Sequence, residues 1–428
     1  MPGRRTRLTL LMLALVALCA ALVPLVASGQ REGSGRDQGG RDQGGRPDPD
    51  NVPIATRFCG QGGDPAAPGN GTSPKGTNPS SPNPLTGLDL YTHKIQEPPY
   101  RDMVRYRRSG QSRKAKLIER IALTPKGVWF GKFTRPNFND KVRNHLNCAQ
   151  WMQPGSVPIM TVLRHQGKSC NPRYQAGGVR EDNATKAWYR NFRQAVGDAR
   201  VIIAFEPDSI GTIECLARSR RAARRRVLRY GVDQLSKLPN ATIYLEGTAS
   251  DWKSPRFTAR LLRFMGIKKV RGFMLNVTHF DWTVNNIAYG RKVSRLVGGK
   301  PFVVSTSYNG RGPVHYKARN GKRINVFCNV RYRGAGPRPT TRTGFAKVDA
   351  FLWLNRPGIS GAGACNGAPP DGDWWPERGL MYAKYATQLL RPPRGTRFGF
   401  KRRISLCRLG APGPSGKYFT SAPERRCR

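Results

Sequence analysis

The sequence predicts an α/β protein in which a parallel β-sheet curls into a barrel. Short runs of apolar and β-branched residues recur along the middle of the chain, and stretches with helical periodicity separate most of them. Strands of a parallel sheet are buried on both faces, so they read as continuous apolar runs between helices. About seven such units in a chain of 428 residues favour a barrel over an open sheet.

The predicted strands follow one another at intervals that leave room for a helix. They are Gly127–Phe130, Val157–Leu163, Val201–Phe205, Ala241–Leu245, Gly272–Leu275, Pro301–Ser305 and Ala350–Leu354. After the third strand, Leu228, Val232 and Leu235 recur with helical spacing. The same stretch holds seven arginines between Arg218 and Arg229. These arginines are interpreted as a solvated helix face, and binding of an anionic polymer is the alternative.

The chain divides into four segments by composition. Residues 1–28 have a basic start and a long apolar run, which is typical of a signal peptide or an N-terminal membrane anchor. Residues 29–87 are rich in Gly and Pro and are predicted to be a flexible linker. Residues 88–393 form the predicted barrel domain, and residues 394–428 a basic tail. The protein is therefore expected to be secreted or anchored in the cell envelope.

The charge balance and the cysteines narrow the possible partners. Lys and Arg total 74 against 26 Asp and Glu, for a formal net charge of +48. Such an excess points to an anionic partner, and export argues against a specific nucleic acid. Eight cysteines remain after Cys19 of the N-terminal segment, which suggests disulfides in an exported chain. No CxxC pair is present, so we expect neither a metal nor a cofactor.

Polar side chains follow several of the predicted strands. Glu206 and Asp208 come directly after VIIAF, Glu246 follows ATIYL, Asn276 follows GFML and Asn355 follows FLWL. The carboxyl ends of parallel barrel strands meet at one rim, where barrel enzymes carry their chemistry. Polar residues also collect at strand ends simply because those ends meet solvent. Asp208 fits that simple explanation less well, because the preceding proline fixes the direction in which the chain leaves the strand.

Tryptophans supply a second indication. Trp129 lies in the VWF run, Trp252 lies in SDWKSP and Trp353 lies in FLWLN. Flat aromatic rings pack on the apolar faces of sugars, so tryptophans beside a carboxylate-lined rim suggest a carbohydrate ligand. Each of these tryptophans is individually more typical of a protein core.

Several blocks of the sequence, in order, resemble the family-6 glycoside hydrolases. They are VPIMTV, SCNPRYQAGG, FEPDSIGTIEC, LPNATIYLEGTASDW, LNVTHFDWT, STSYNGRGP, FCNV and TRTGFAKVDAFLWLNRPG, and together they cover about residues 90 to 390. The family comprises inverting cellobiohydrolases and endoglucanases that act on β-1,4-glucan. The resemblance implies a distorted, incomplete parallel α/β barrel with an active-site cleft or tunnel at the strand ends.

The resemblance also implies roles for particular residues. Asp208 of the E-P-D block corresponds to the general acid. Glu206 either shapes the electric field around that acid or ties down the turn. The family's disulfides correspond to Cys170 with Cys215 and Cys328 with Cys365, and its substrate-binding positions to Trp129, Trp252, Asn276, Trp353 and Asn355.

Two acids of the family pattern are missing from this chain. The aspartate that supports the general acid is replaced by Ser169, and the proposed base by Gly361. Three accounts follow. Another acid, such as Glu246, Asp251 or Asp281, activates the water; a solvent chain activates it indirectly; or the chain binds glycan without turnover.

The expected function is that of an exported glucanase with Asp208 as general acid and Glu246 as possible support. The alternative is a weak or inactive homologue that binds an envelope or anionic glycan. The expected partner is a polysaccharide, with an anionic envelope polymer possible at the basic surface, and the protein is expected to be a monomer.

Overall fold

The computed structural model describes residues 75–94, 97–134, 136–165, 178–317, 323–325, 327, 329–361 and 367–393. Seven parallel strands form one sheet in the order β1-β2-β3-β4-β5-β6-β9. Their bounds are β1 Val128–Gly131, β2 Ile159–Leu163, β3 Val201–Phe205, β4 Ala241–Glu246, β5 Gly272–Leu275, β6 Phe302–Ser305 and β9 Val348–Leu352. All seven predicted strands are present. The curled sheet is the predicted incomplete barrel.

Five of the eight described helices connect consecutive strands from β1 to β6, two precede β1 and one follows β9. In chain order, the eight are α1 Pro98–Arg108, α2 Ser112–Ala122, α3 Phe138–Met152, α4 Val179–Val196, α5 Arg218–Leu235, α6 Pro255–Met265, α7 Thr283–Leu296 and α8 Pro376–Lys384. A short antiparallel pair, β7 His315–Lys317 and β8 Arg323–Asn325, lies in the long connection between β6 and β9. In the part of the chain that the structure describes, no helix is both long and apolar enough to span a membrane.

The strands are apolar on both faces because each face packs against a different core. In β3, Val201, Ile203 and Phe205 face the helices, and Ile202 and Ala204 face the barrel interior. In β4, Ile243 and Leu245 likewise face the helices. The alternation along β4 places Tyr244 inside the barrel, where it is buried, and directs Glu246 to the same face. Glu246 therefore occupies the last inward-facing position of β4, at the carboxyl rim.

The barrel remains open between β1 and β9, which are the edge strands of the sheet. Two contacts bridge the gap. The Gly127 amide donates to the Trp353 carbonyl at 2.7 Å, and the Trp129 indole Nε1 donates to the Leu354 carbonyl at 3.0 Å. The two edges therefore touch near the end of β9 without forming a ladder.

The folded domain begins earlier than the composition predicts. The composition predicts that residues 75–87 belong to the flexible linker, yet Leu85 is fully buried in the barrel interior. The Asn83 amide also donates to the Asp349 carbonyl at 2.6 Å. This segment closes the end of the barrel at which the strands begin. Its Gly, Pro and Asn residues suit tight turns as well as disordered linkers, which is why composition misassigned it.

Candidate active site

The strand ends at the carboxyl rim have an unusual backbone. Eight described residues other than glycine have positive φ, and four of them lie within three residues of the ends of β3, β4 or β5: Glu206 at 57°, Asp208 at 67°, Thr248 at 64° and Asn276 at 68°. Side chains other than glycine disfavour this region, so the surrounding structure must hold these residues there. Such strain concentrates at functional sites, and here it redirects the side chains that follow three adjacent strands.

Asp208 is half-buried just after β3, and hydroxyl groups hold it in place. The Thr278 hydroxyl donates to Asp208 Oδ1 at 2.6 Å. The Thr212 hydroxyl and amide both donate to the Asp208 backbone carbonyl, at 2.7 and 3.0 Å. These bonds fix the carboxyl group at the rim while leaving part of it accessible. That is the placement a general acid requires.

Glu246 ends β4, the neighbour of β3 in the sheet, and is 2% exposed. Its carboxyl group accepts hydrogen bonds from the backbone amides of Thr248, at 2.8 Å, and of Asp208. Burial and the nearby charge of Asp208 raise the pKa of Glu246 well above its ordinary value. The structure thus brings together two of the predicted site residues as a pair of carboxyl groups.

Glu206 is fully buried and serves as a tether for the chain after β2. Its carboxylate accepts hydrogen bonds from the amides of Arg164, at 2.9 Å, and His165, at 3.1 Å. The Tyr189 hydroxyl donates at 2.7 Å, and the His165 ring also contacts the carboxylate. Burial raises the pKa of Glu206, but His165 and these hydrogen bonds outweigh it and leave the pKa lowered. Of the two roles considered, this geometry matches the one that ties down the turn.

The other two acids considered as bases are engaged by neighbouring groups. Asp251 accepts from the His279 ring at 2.7 Å and from the Asn325 amide at 2.7 Å. Asp281 is 6% exposed and accepts from Ser250, the Trp282 amide and Asn285 at 2.5, 2.8 and 3.0 Å. Burial and the charge of Asp251 raise the pKa of Asp281. Both acids therefore hold loops together at the rim.

The side chains of the two predicted asparagines form hydrogen bonds with backbone carbonyls at the carboxyl rim. Asn276 is 2% exposed, and its amide donates to the carbonyls of Asp281 and Ser305 at 3.2 and 3.1 Å. The Asn355 side chain donates to the Val277 carbonyl at 3.1 Å. Asn276 connects the ends of the neighbouring strands β5 and β6, and Asn355 connects the segment after β9 to the segment after β5, so both side chains fix loops at the carboxyl rim.

The three tryptophans lie in different environments. Trp252 is half-buried and stacks on His279, with ring centroids 4.7 Å apart. It also lies so close to Gly211, three residues after Asp208, that a side chain at Gly211 would collide with its ring. Trp129 is half-buried beside the barrel interior. Trp353 is 2% exposed, and its indole donates to the Pro337 carbonyl at 2.9 Å. Trp252 is thus the tryptophan near the acid, and Trp353 packs as a core residue.

The position of the missing base has room for a side chain. The Gly361 amide donates to Asn329 Oδ1 at 3.1 Å, and a Cβ added at Gly361 would meet nothing within 4 Å. The supporting position, Ser169, lies outside the described residues, as do Cys170, Cys328 and Cys365. Arg164, which follows β2, is 4% exposed and pairs with Glu181 at 2.7 Å.

Sequence reasoning missed two residues of the site, Thr278 and His279. Both lie in the LNVTHFDWT block, of which the sequence singles out only the strand, Asn276 and Asp281. A hydroxyl two residues after a strand-end asparagine carries no recognisable signal by itself.

The described residues contain no group of three or more His, Cys, Asp or Glu side chains arranged to hold a metal ion.

Comparison with known proteins gives a consistent family. The profile of the glycosyl hydrolases of family 6 matches residues 86–392. Endoglucanase A of Cellulomonas fimi is 32% identical over 63% of this chain, and the match spans 56% of that protein. Endoglucanase 1 of Streptomyces halstedii is 28% identical over 59% of this chain and 75% of its own length.

Solved structures agree with this assignment. The endoglucanase Cel6 from Mycobacterium tuberculosis, in complex with a thio-linked cellobioside derivative, is 29% identical. It superposes with a TM-score of 0.62 over 71% of this chain and 99% of its own. Endoglucanase CEL6B from Humicola insolens, 19% identical with a TM-score of 0.61 over 72% of this chain and all of its own, shares the fold. The family profile covers well over half of the chain, so the chain belongs to the glycosyl hydrolases of family 6.

Proposed function

We propose that the protein hydrolyses β-1,4-glucosidic bonds in a polysaccharide with inversion, and that Asp208 is the general acid. The observation that carries the proposal is the Asp208 carboxyl group, held by Thr278 at the carboxyl rim beside the buried Glu246. The endoglucanase relatives support the substrate class. Carbohydrate would approach the rim past Trp252, a half-buried tryptophan that packs against Gly211, three residues after Asp208.

The reaction needs a proton on the departing oxygen. Asp208 donates that proton as the glycosidic bond breaks, while a water attacks the anomeric carbon from the opposite face of the sugar. The Asp208 and Glu246 carboxyl groups repel each other as anions, and this repulsion together with burial raises the pKa of Glu246. Because Glu246 accepts a hydrogen bond from the Asp208 backbone amide, it acts as a positioning residue for the general acid.

The attacking water is activated through solvent in this proposal. An inverting base lies about 6.5–9.5 Å from the acid, with room for a water between. Gly361 supplies no carboxylate, Asp251 and Asp281 are engaged by their neighbours, and Glu246 is almost completely buried. We therefore expect a slow enzyme, because general base assistance contributes about 10²–10⁴-fold.

The proposal extends to the location of the enzyme. The basic and apolar start of the chain supports export, with or without cleavage of that segment. We also propose disulfides between Cys170 and Cys215 and between Cys328 and Cys365. The finding that Cys215 is disulfide-bonded supports the first pair.

The experiment is a product assay on soluble β-1,4-glucan and mixed-linkage glucan with the wild type and Asp208→Asn. Asparagine preserves the shape and the Thr278 contact but cannot donate an acidic proton, so kcat falls by about 10²–10⁴-fold. NMR of fresh product shows the α-anomer first. Equal release by both proteins, or product of retained configuration, contradicts the mechanism. Binding of oligosaccharide without any release would instead favour the non-catalytic alternative, for which the named relatives give no support.

A further inference from the structure

One stretch of the outer surface concentrates positive charge. Helix α5 contains seven arginines and one acidic residue, Asp233. Helices α6 and α7 each contain three cations and no acidic residue, and the turn after α6 adds Lys268 and Lys269. These three helices pack side by side, α5 against α6 and α6 against α7. We refer to their solvent-facing cations as the basic face.

Part of the arginine run in α5 is used within the fold. Arg220 pairs with Asp182 at 2.7 Å, Arg221 donates to the carbonyls of Leu216 and Glu214, and Arg224 is 7% exposed. Arg225 is half-buried. The cations exposed to solvent are Arg218, Arg226 and Arg229 on α5, Arg256, Arg260 and Arg263 on α6, and Arg291, Lys292 and Arg295 on α7. The basic face therefore includes only part of the arginine run of α5, together with the exposed cations of α6 and α7.

The neighbouring helices differ in charge pattern. In α4, Glu181 and Asp182 pair with Arg164 and Arg220, and in α3, Asp140 lies 3.9 Å from Arg143. Across the basic face the structure shows an ion pair between Lys269 and Asp233 at 2.5 Å. Exposed cations that outnumber the acids around them repel one another and raise the local positive potential. Helices α1 and α2 also contain more cations than acids, but α5–α7 form three such helices packed side by side.

The basic face offers few flat rings for nucleobases. Among the described residues, none of the exposed large apolar side chains on α5–α7 is aromatic. Phe257 and Phe264 are half-buried, and cations already lie over their rings: Lys253 at 5.0 Å and Arg260 at 5.7 Å for Phe257, and Arg225 at 5.2 Å for Phe264. Single-stranded nucleic acid is bound by stacking as well as by charge. The face instead suits a polymer that is recognised by its charges alone.

We propose that the basic face binds a linear acidic polysaccharide, whose sugar units carry carboxylate or phosphate groups, independently of the rim around Asp208. Cations spread over three adjacent helices match a charge repeated along a chain better than a single small anion. Binding releases the counterions that surround the polymer and relieves the repulsion between the arginines. The interaction would hold the enzyme on an acidic glycan matrix while the rim acts on its own substrate.

The test uses two probes with the same backbone, polygalacturonate and its fully methyl-esterified form. The full-length protein should bind polygalacturonate, with affinity falling steeply between low and physiological salt, and should not bind the neutral ester. The face variant replaces Arg226, Arg229, Arg256 and Lys292 by Gln. The control variant makes the same change at Lys141, Arg143, Arg180 and Arg190, which are exposed on α3 and α4.

The face variant should lose about tenfold or more in affinity for polygalacturonate, and the control variant should lose less than about threefold. Both should keep wild-type activity on β-glucan and melt cooperatively, which shows that they are folded. Equal losses in the two variants, or equal binding of the neutral ester, overturn the proposal. Tighter binding of DNA than of polygalacturonate at the same salt, with the same dependence on the face residues, would overturn the choice of a polysaccharide partner.

Discussion

The buried acids at the two ends of the barrel have opposite electrostatic surroundings. At the end where the strands begin, Asp349 accepts two hydrogen bonds from Arg271, at 2.8 and 2.9 Å, and one from the Tyr244 hydroxyl at 2.7 Å. At the carboxyl rim, Glu246 faces another carboxyl group, that of Asp208. Tyr244 and Glu246 are two residues apart on the same face of β4. One strand therefore runs from a compensated charge to an uncompensated one.

This difference predicts that the acid at the first end contributes to stability and the acids at the carboxyl rim contribute to catalysis. Arg271 also donates to the carbonyls of Gly76, Asn78 and Ser81, so the ion pair holds the N-terminal segment in the barrel mouth. A buried pair whose hydrogen bonds are complete is structural, whereas like charges in one place shift pKa values and create a reactive proton. We expect substitutions at the first end to change folding and substitutions at the second to change catalysis.

The largest expected effect is on stability at the compensated end. Arg271→Met leaves Asp349 buried without its cation, and we expect a loss of about 3–5 kcal/mol in the free energy of unfolding, measured by urea denaturation. Adding Asp349→Asn to this variant should restore part of the loss, because the unpaired charge is removed. A loss below about 1 kcal/mol in the single variant would show that the pair is not what closes this end.

The next effect concerns the missing base. Gly361→Asp introduces a carboxylate where a Cβ meets nothing within 4 Å, and where the family has its base. Because direct base assistance replaces activation through solvent, we expect kcat on β-glucan to rise by about 10²-fold. Gly361→Asn has nearly the same shape without the charge and should leave kcat near that of the wild type. An equal rise in both variants would point to loop packing and not to base catalysis.

A smaller effect is expected from removing the uncompensated charge. The pKa of Glu246 is raised in the fold, so its contribution to stability is full below the unfolded pKa and is lost as the pH rises through the folded pKa. Glu246→Gln should therefore be more stable than the wild type by about 1–2 kcal/mol at pH 7.5 and about equal to it near pH 4. Melting at both pH values measures this. A stability difference that does not change with pH would mean that the carboxyl group is not strained by its neighbour.

The sequence predicts the barrel well and the rim only in part. The apolar runs locate all seven strands, because a strand buried on both faces leaves a continuous apolar pattern. The position of Asp208 after β3 predicts that its side chain lies at the carboxyl rim. The composition predicts a linker around Leu85 because Gly, Pro and Asn are common both in the turns of folded chains and in disordered segments. Trp353 could not be separated from Trp252, since a tryptophan in a core and one beside a cleft have the same neighbours in sequence. Contacts between distant loops, such as those of Asp251 with His279 and Asn325, leave no pattern at all.

Thr278 is the plainest case of such a contact and gives the smallest expected effect. Its hydroxyl lies 70 positions from Asp208 in sequence and 2.6 Å from the carboxyl oxygen. Thr278→Val keeps the shape but removes the hydrogen bond, so kcat should fall by about tenfold, equivalent to about 1.4 kcal/mol. Thr278→Ser should restore the rate. Thr212→Val is the matched control, because the Thr212 hydroxyl bonds the Asp208 backbone carbonyl and not the carboxyl group, so its loss should leave kcat within about twofold. If both valine variants slow the enzyme equally, the turn as a whole, and not the bond to the carboxyl group, is what positions the acid.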